Sequence, residues 1–135
     1  MAVPVGKRSK SKFEVLIQTK ELAKYTMEIT KNKKIFLPEY QSALTDDLIR
    51  LSKNAFIRCW TANNIRVETE EQYKERHKLQ YQAILDCNNL LALIDLSKSV
   101  YHLKNKRIMF WAAKTITART LIREWRTSDT KRYKF

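Results

Sequence analysis

The chain has 135 residues, 44% of them hydrophobic, enough for one domain with one packed core and too apolar for wholesale disorder. Its 27 Lys+Arg against 14 Asp+Glu give a net charge of +13, a surplus that draws polyanions but does not choose a fold. The single glycine, Gly6, excludes a P-loop, a dinucleotide-binding fingerprint and the glycine loop of a KH domain, because each needs close backbone approach or positive φ.

Residues 1–10 read as a short basic arm containing Lys7, Arg8 and Lys10, with Lys12 following. A first helix is expected over residues 11–31, with Ser11 as cap and Glu14 completing a capping box. Phe13, Leu16, Ala23 and Met27, widened by Ile17, Leu22, Tyr25 and Ile29, form its expected apolar face. Asn32 marks its end. In the segment KKIFLPEYQ, Ile35, Phe36 and Leu37 are too apolar for a solvated loop and should tuck against the bundle, while Pro38 keeps Leu37 extended.

A second helix should run from Glu39 or Tyr40 to Ile65. Leu44, Leu48, Leu51, Ala55, Cys59 and Ala62 recur at helical spacing, and Ile49, Phe56 and Trp60 widen that face. A third helix begins after Thr69, where Glu70 and Glu71 suit the helix dipole, and runs to Leu103. Its second half, AILDCNNLLALIDL, is apolar nearly all round and should lie centrally. A fourth helix over residues 106–128 carries Ile108, Trp111, Thr115, Ala118, Ile122 and Trp125 as its core stripe. Residues 129–135 read as a basic tail.

Four long helices with short connections and no strand pattern give an all-α fold, an up-down-up-down four-helix bundle over residues 11–128. The apolar coverage of helices two and three exceeds what one bundle interior uses, so a homo-oligomer is expected, with Phe56, Trp60, Leu90 and Leu93 at its interface.

Enzymatic readings find no footing. A di-iron bundle needs Glu three residues before His. His77 has Lys74 there and His102 has Ser99, so no metal or cofactor is expected. No GxSxG is present, and Asp46-Asp47 reads as the first turn of a helix with Thr45 as its cap. Cys59 and Cys87 lack a CxxC and read as reduced, buried hydrophobes. The longest apolar run, LLALIDL, is far short of the ~20 residues that span a bilayer. No secretory signal is visible. A cytoplasmic chain without membrane contact is expected.

The charge surplus is uneven. Residues 104–135 hold ten Lys/Arg and two acids, Glu124 and Asp129; residues 1–103 hold seventeen and twelve. On the fourth helix Arg119, Arg123 and Arg126 fall within roughly 60° of arc, and Glu124 lies about 140° from Arg119. An arginine row without acids suits phosphate, since the guanidinium fork binds it bidentately. Lys106, Arg107, Lys131 and Arg132 extend the basic character of this region. Lys20, Lys24 and Lys31 form a milder row on the first helix. Tyr133 and Phe135 offer faces on which bases could stack.

The order of short motifs adds a resemblance. VGKRSKSKFEVLIQTKELAKYTMEIT, NKKIFLPEYQSALTDDLIR, TANNIRV, ILDCNNLLALIDL and FWAAKTITARTLIREW, together covering most of residues 5–128, resemble the bacterial "four helix bundle protein" group. That group includes the accessory variability determinant (Avd) proteins of diversity-generating retroelements and the proteins encoded in intervening sequences of 23S ribosomal RNA genes. The resemblance implies a ring-like homopentamer with a basic surface. It implies a non-enzymatic factor that binds a reverse transcriptase and its template RNA or cDNA and supports mutagenic cDNA synthesis. The arginine row and the first-helix lysines would then contact nucleic acid or polymerase. Relatives place arginines along the middle of helix three; here residues 86–98 offer only Lys98, beside Asp86 and Asp95, and those positions are not carried over. The alternative is a structural scaffold of the intervening-sequence type whose basic face binds an acidic protein.

Overall fold

A computed structural model describes the backbone of residues 5–135 and the side chains of residues 13–135. It contains four α-helices, α1 (Val5–Thr30), α2 (Asp46–Asn64), α3 (Glu70–Tyr101) and α4 (Asn105–Arg132), and no strand among the described residues. Each helix packs against the next, and α4 packs back against α1, so the four enclose one core. The side chains of Lys7, Arg8, Lys10 and Lys12 lie outside the described residues.

The phase of α1 differs from the expected one. The helix begins at Val5, so Ser11 lies inside it and is not its cap. Phe13 is 65% exposed, while the inward stripe is Val15, Thr19, Leu22, Thr26 and Thr30. Three threonines can be buried because each hydroxyl donates to the carbonyl one turn earlier: Thr19 to Val15 at 2.7 Å, Thr26 to Leu22 at 2.9 Å and Thr30 to Thr26 at 2.8 Å. Thr26 also accepts from the Trp111 indole at 3.1 Å, which pins α1 to α4.

After α1, Asn32 organises the turn: its side chain accepts from the Lys34 amide at 3.1 Å and its carbonyl from the Phe36 amide at 2.8 Å. Phe36 is fully buried against Tyr101 and Trp111, as its apolar neighbourhood implied. Leu37 is extended, and Pro38 opens a 3₁₀ turn (Pro38–Tyr40) followed by a π turn (Gln41–Thr45). The second helix therefore starts at Asp46 rather than at Glu39 or Tyr40. Thr45 is already in the α region and does not cap it. Its hydroxyl lies 2.7 Å from the Tyr101 hydroxyl, tying the start of α2 to the end of α3.

Helix α3 opens with a reciprocal capping box, Thr69 accepting from the Gln72 amide and Gln72 accepting from the Thr69 amide. It closes at His102, which takes at φ 54° the left-handed conformation that glycine usually fills where a helix ends this way. The expected stripes on α2 and α4 hold: Leu48, Leu51, Ala55, Cys59 and Ala62 meet Trp111, Ala118, Ile122 and Trp125 in the core. Leu90 is also fully buried there. It fills the protomer's own interior and is not available to a neighbour, which corrects its assignment to an oligomer interface. Large apolar side chains of this kind each contribute about 1.5–3 kcal/mol when buried.

The end of α4 holds the largest departure. The helix continues through Asp129 to Arg132, so residues 129–132 are not a tail. Asp129 is fully buried and paired with Arg76, itself 2% exposed. Arg76 Nε donates to Asp129 Oδ2 at 2.7 Å and Nη2 donates to Oδ1 at 3.1 Å, while Gln80 Nε2 donates to Oδ2 at 2.8 Å. The Arg76 guanidinium lies over Trp125 at 5.0 Å and Tyr133 at 5.8 Å. Tyr133 and Phe135 pack beside Tyr73, so the aromatics after α4 belong to this cluster.

Candidate nucleic-acid interface

The three arginines of α4 share a face, and the structure gives each a different state. Arg119 is half-buried, and its Nη1 donates to Asn88 Oδ1 on α3 at 2.8 Å. Its Nε is buried without a hydrogen-bond partner. Arg126 donates from Nε to the His77 carbonyl at 3.2 Å and lies over the Tyr81 ring at 5.2 Å. Arg123 is exposed, and among the described residues no side-chain hydrogen bond or ion pair engages it.

Between α3 and α4, Arg123 and Arg126 line a groove of ≈ 400 Å³, with Thr127 and Thr130 beside them and Tyr81, Ile84, Leu85 and Asn88 opposite. No carboxylate belongs to this lining. Its donors are two guanidinium groups, the Asn88 amide and the Thr127 and Tyr81 hydroxyls, the Thr130 hydroxyl already donating to the Arg126 carbonyl; the Tyr81 side chain is 48% exposed. That set can hold a phosphate diester and offer a flat face to a base. Arg126 also acts on its neighbour. Burial and then the Arg126 charge hold the His77 imidazole below its usual pKa, against the weaker opposing pull of Asp129.

The remaining basic candidates are not brought to this groove. Lys106 and Arg107 stand at the start of α4 beside Tyr25, Met109 and Phe110. Lys131 is exposed at the other end, and the Arg132 guanidinium lies over Tyr133 at 5.8 Å. At 1.5 Å per residue the two clusters sit about 37 Å apart along the helix. Lys20, Lys24 and Lys31 are exposed on α1, and they rim a different groove, formed with α2.

Of the expected interface residues, Trp60 is 54% exposed, Phe56 is half-buried and stacks near it at 6.1 Å between ring centroids, and Leu93 packs against the core. Cys59 and Cys87 are buried and reduced; burial pushes the Cys87 thiol up to about 12 and the Cys59 thiol higher still. Among the described residues no group of three His, Cys, Asp or Glu side chains is placed to hold a metal ion, and no helix is long and apolar enough to cross a membrane.

Tyr81 and Asn88 are site residues that the charge pattern alone did not single out. Tyr81 and Asn88 meet the arginines only through helix packing, 45 and 31 residues away in sequence from Arg126 and Arg119. Comparisons with family models, with curated proteins and with solved structures find nothing that matches this chain.

Proposed function

We propose that this chain is a non-enzymatic accessory factor of the accessory variability determinant type. In this reading it is an up-down-up-down bundle that assembles as a homopentamer and binds a reverse transcriptase and its template RNA. The observation that supports this best is the α3–α4 groove, where Arg123 and Arg126 stand with no carboxylate in the lining and Arg119 holds the wall residue Asn88. An uncompensated arginine row is slightly unfavourable in an isolated helix, at a few tenths of a kcal/mol per like-charged pair. A polyanion relieves that repulsion. Contacts would be mostly to phosphate, with Tyr81 as a stacking face for an unpaired base. Exposed Trp60 on α2 would supply an apolar contact between protomers.

The test is binding of a labelled structured RNA across a salt series, on protein freed of co-purifying nucleic acid. Submicromolar affinity at low salt is expected. A footprint of ~6–10 phosphates should cost roughly 10³–10⁵ in affinity between about 50 and 200 mM salt. Absence of binding at low salt would remove the nucleic-acid reading.

A further inference from the structure

The second groove, between α1 and α2, has a different chemistry. Its floor is Ala23, Met27, Phe56 and Ile57, its volume is ≈ 520 Å³, and its rim carries Lys20, Lys24, Lys31 and Lys53 with the single acid Glu28. Met27 is 37% exposed and Ile57 47%. Among the described residues none of the four lysines forms an ion pair. On α1 the spacing of positions 20, 24, 27 and 31 keeps one face, and on α2 positions 53, 56 and 57 do the same. The groove is therefore a straight apolar channel about 16 Å long, from Lys20 to Lys31, with cations along its edges.

We propose that this channel docks an acidic amphipathic helix of a partner protein. A helix laid in such a groove presents anchors at i, i+3, i+4 and i+7, about two turns or roughly 10 Å, which fits within the channel's length. Its flanking carboxylates face Lys20 and Lys24 on one side and Lys53 on the other. Methionine in the floor adapts to anchors of different shape. Nucleic acid is the poorer occupant, because the floor is hydrocarbon and every rim cation is a lysine rather than a phosphate-forking arginine. A second copy of this chain is also poorer. The chain carries +13, so a second copy brings net like charge to a rim of lysines. The site stands apart from the RNA groove and does not depend on it.

The probe is a fluorescein-labelled helical peptide of about four turns. It carries Leu at i, i+3, i+4 and i+7 and Glu at the flanking positions. The control peptide has Lys in place of each Glu. With the full chain at low salt the acidic peptide should bind and the control should not. Ile57→Glu, at an exposed position and checked for unchanged helicity, should weaken binding roughly 10–30-fold, as loss of a central anchor does. Lys24→Glu with Lys53→Glu should weaken it and flatten its salt dependence, and Ile57→Glu should keep RNA affinity. Three results overturn the proposal. The first is no peptide binding at low salt, or equal binding of the control. The second is loss of RNA affinity in the lysine variant with peptide binding intact, which makes the channel a nucleic-acid surface. The third is a wild-type oligomer that Ile57→Glu converts to monomer, which makes a second copy the occupant.

Discussion

Arg119 gives one guanidinium nitrogen to Asn88 Oδ1 at 2.8 Å, and this bond separates it from Arg123, its neighbour one turn along. Arg123 is exposed and uncommitted, whereas Arg119 has a buried Nε and Arg126 holds the His77 carbonyl. Reversing charge along the whole row would therefore test folding as well as binding.

The row should be separable by substitution. Arg123→Glu should lower RNA affinity about tenfold or more at low salt, with the unfolding midpoint unchanged. Arg119→Glu should lower the midpoint too, since it sets a carboxylate where an α3–α4 hydrogen bond stood. Electrophoretic mobility shift and urea denaturation on the same samples distinguish the two effects.

Asp129→Ala should cost roughly 3–5 kcal/mol, because it strands the buried Arg76 guanidinium and a Gln80 amide. Replacing Arg76, Gln80 and Asp129 together with apolar residues of similar volume should recover most of the loss, since an unpaired buried charge is worse than none. Urea unfolding of the single and triple variants reads both numbers.

Leu90 and Trp60 should behave oppositely. Leu90→Ala empties a fully buried site and should cost about 2–5 kcal/mol. Trp60→Ala, at a position 54% exposed, should change protomer stability by no more than about 0.5 kcal/mol and instead weaken self-association. Denaturation and sedimentation velocity separate the two.

Acid should destabilise the fold through His77. Its folded pKa is lowered by burial and by Arg126, so in the unfolded chain the imidazole takes up a proton more readily than in the folded one. The stability this contributes is fully present above the unfolded value of about 6.5 and is lost as pH falls through the lower folded value. Burial raises the Asp86 carboxyl, against the pull of Arg58, and that shift works in the opposite sense at lower pH. His77→Gln isolates the histidine: urea midpoints from about pH 7.5 to 5.5 should fall less in the variant than in the parent chain.

What the sequence displayed depended on how each buried residue looks when read alone. Leu48, Cys59, Trp111 and Ile122 announced the core stripes of α2 and α4 because they are apolar at helical spacing. The stripe of α1 was hidden because Thr19, Thr26 and Thr30 look polar until their hydroxyls are seen to bond within the helix. Asp129 fell in what read as a basic tail and Arg76 drew no attention, since nothing local joins residues 53 apart. The arginine row was legible as a helical face. Its division into committed and free members was not, because Asn88, His77 and Tyr81 reach it from another helix.

The burial of Arg76 against Asp129 also orders events during synthesis. The guanidinium leaves the ribosome 53 residues before its carboxylate. At about 5–20 residues per second that is a wait of roughly 3–11 s, during which α3 carries a cation it has no means to bury. The nascent bundle cannot close early around α1, α2 and α3 at that end without stranding the charge. A closed interior at that end therefore needs the far turns of α4, which carry the carboxylate that Arg76 meets.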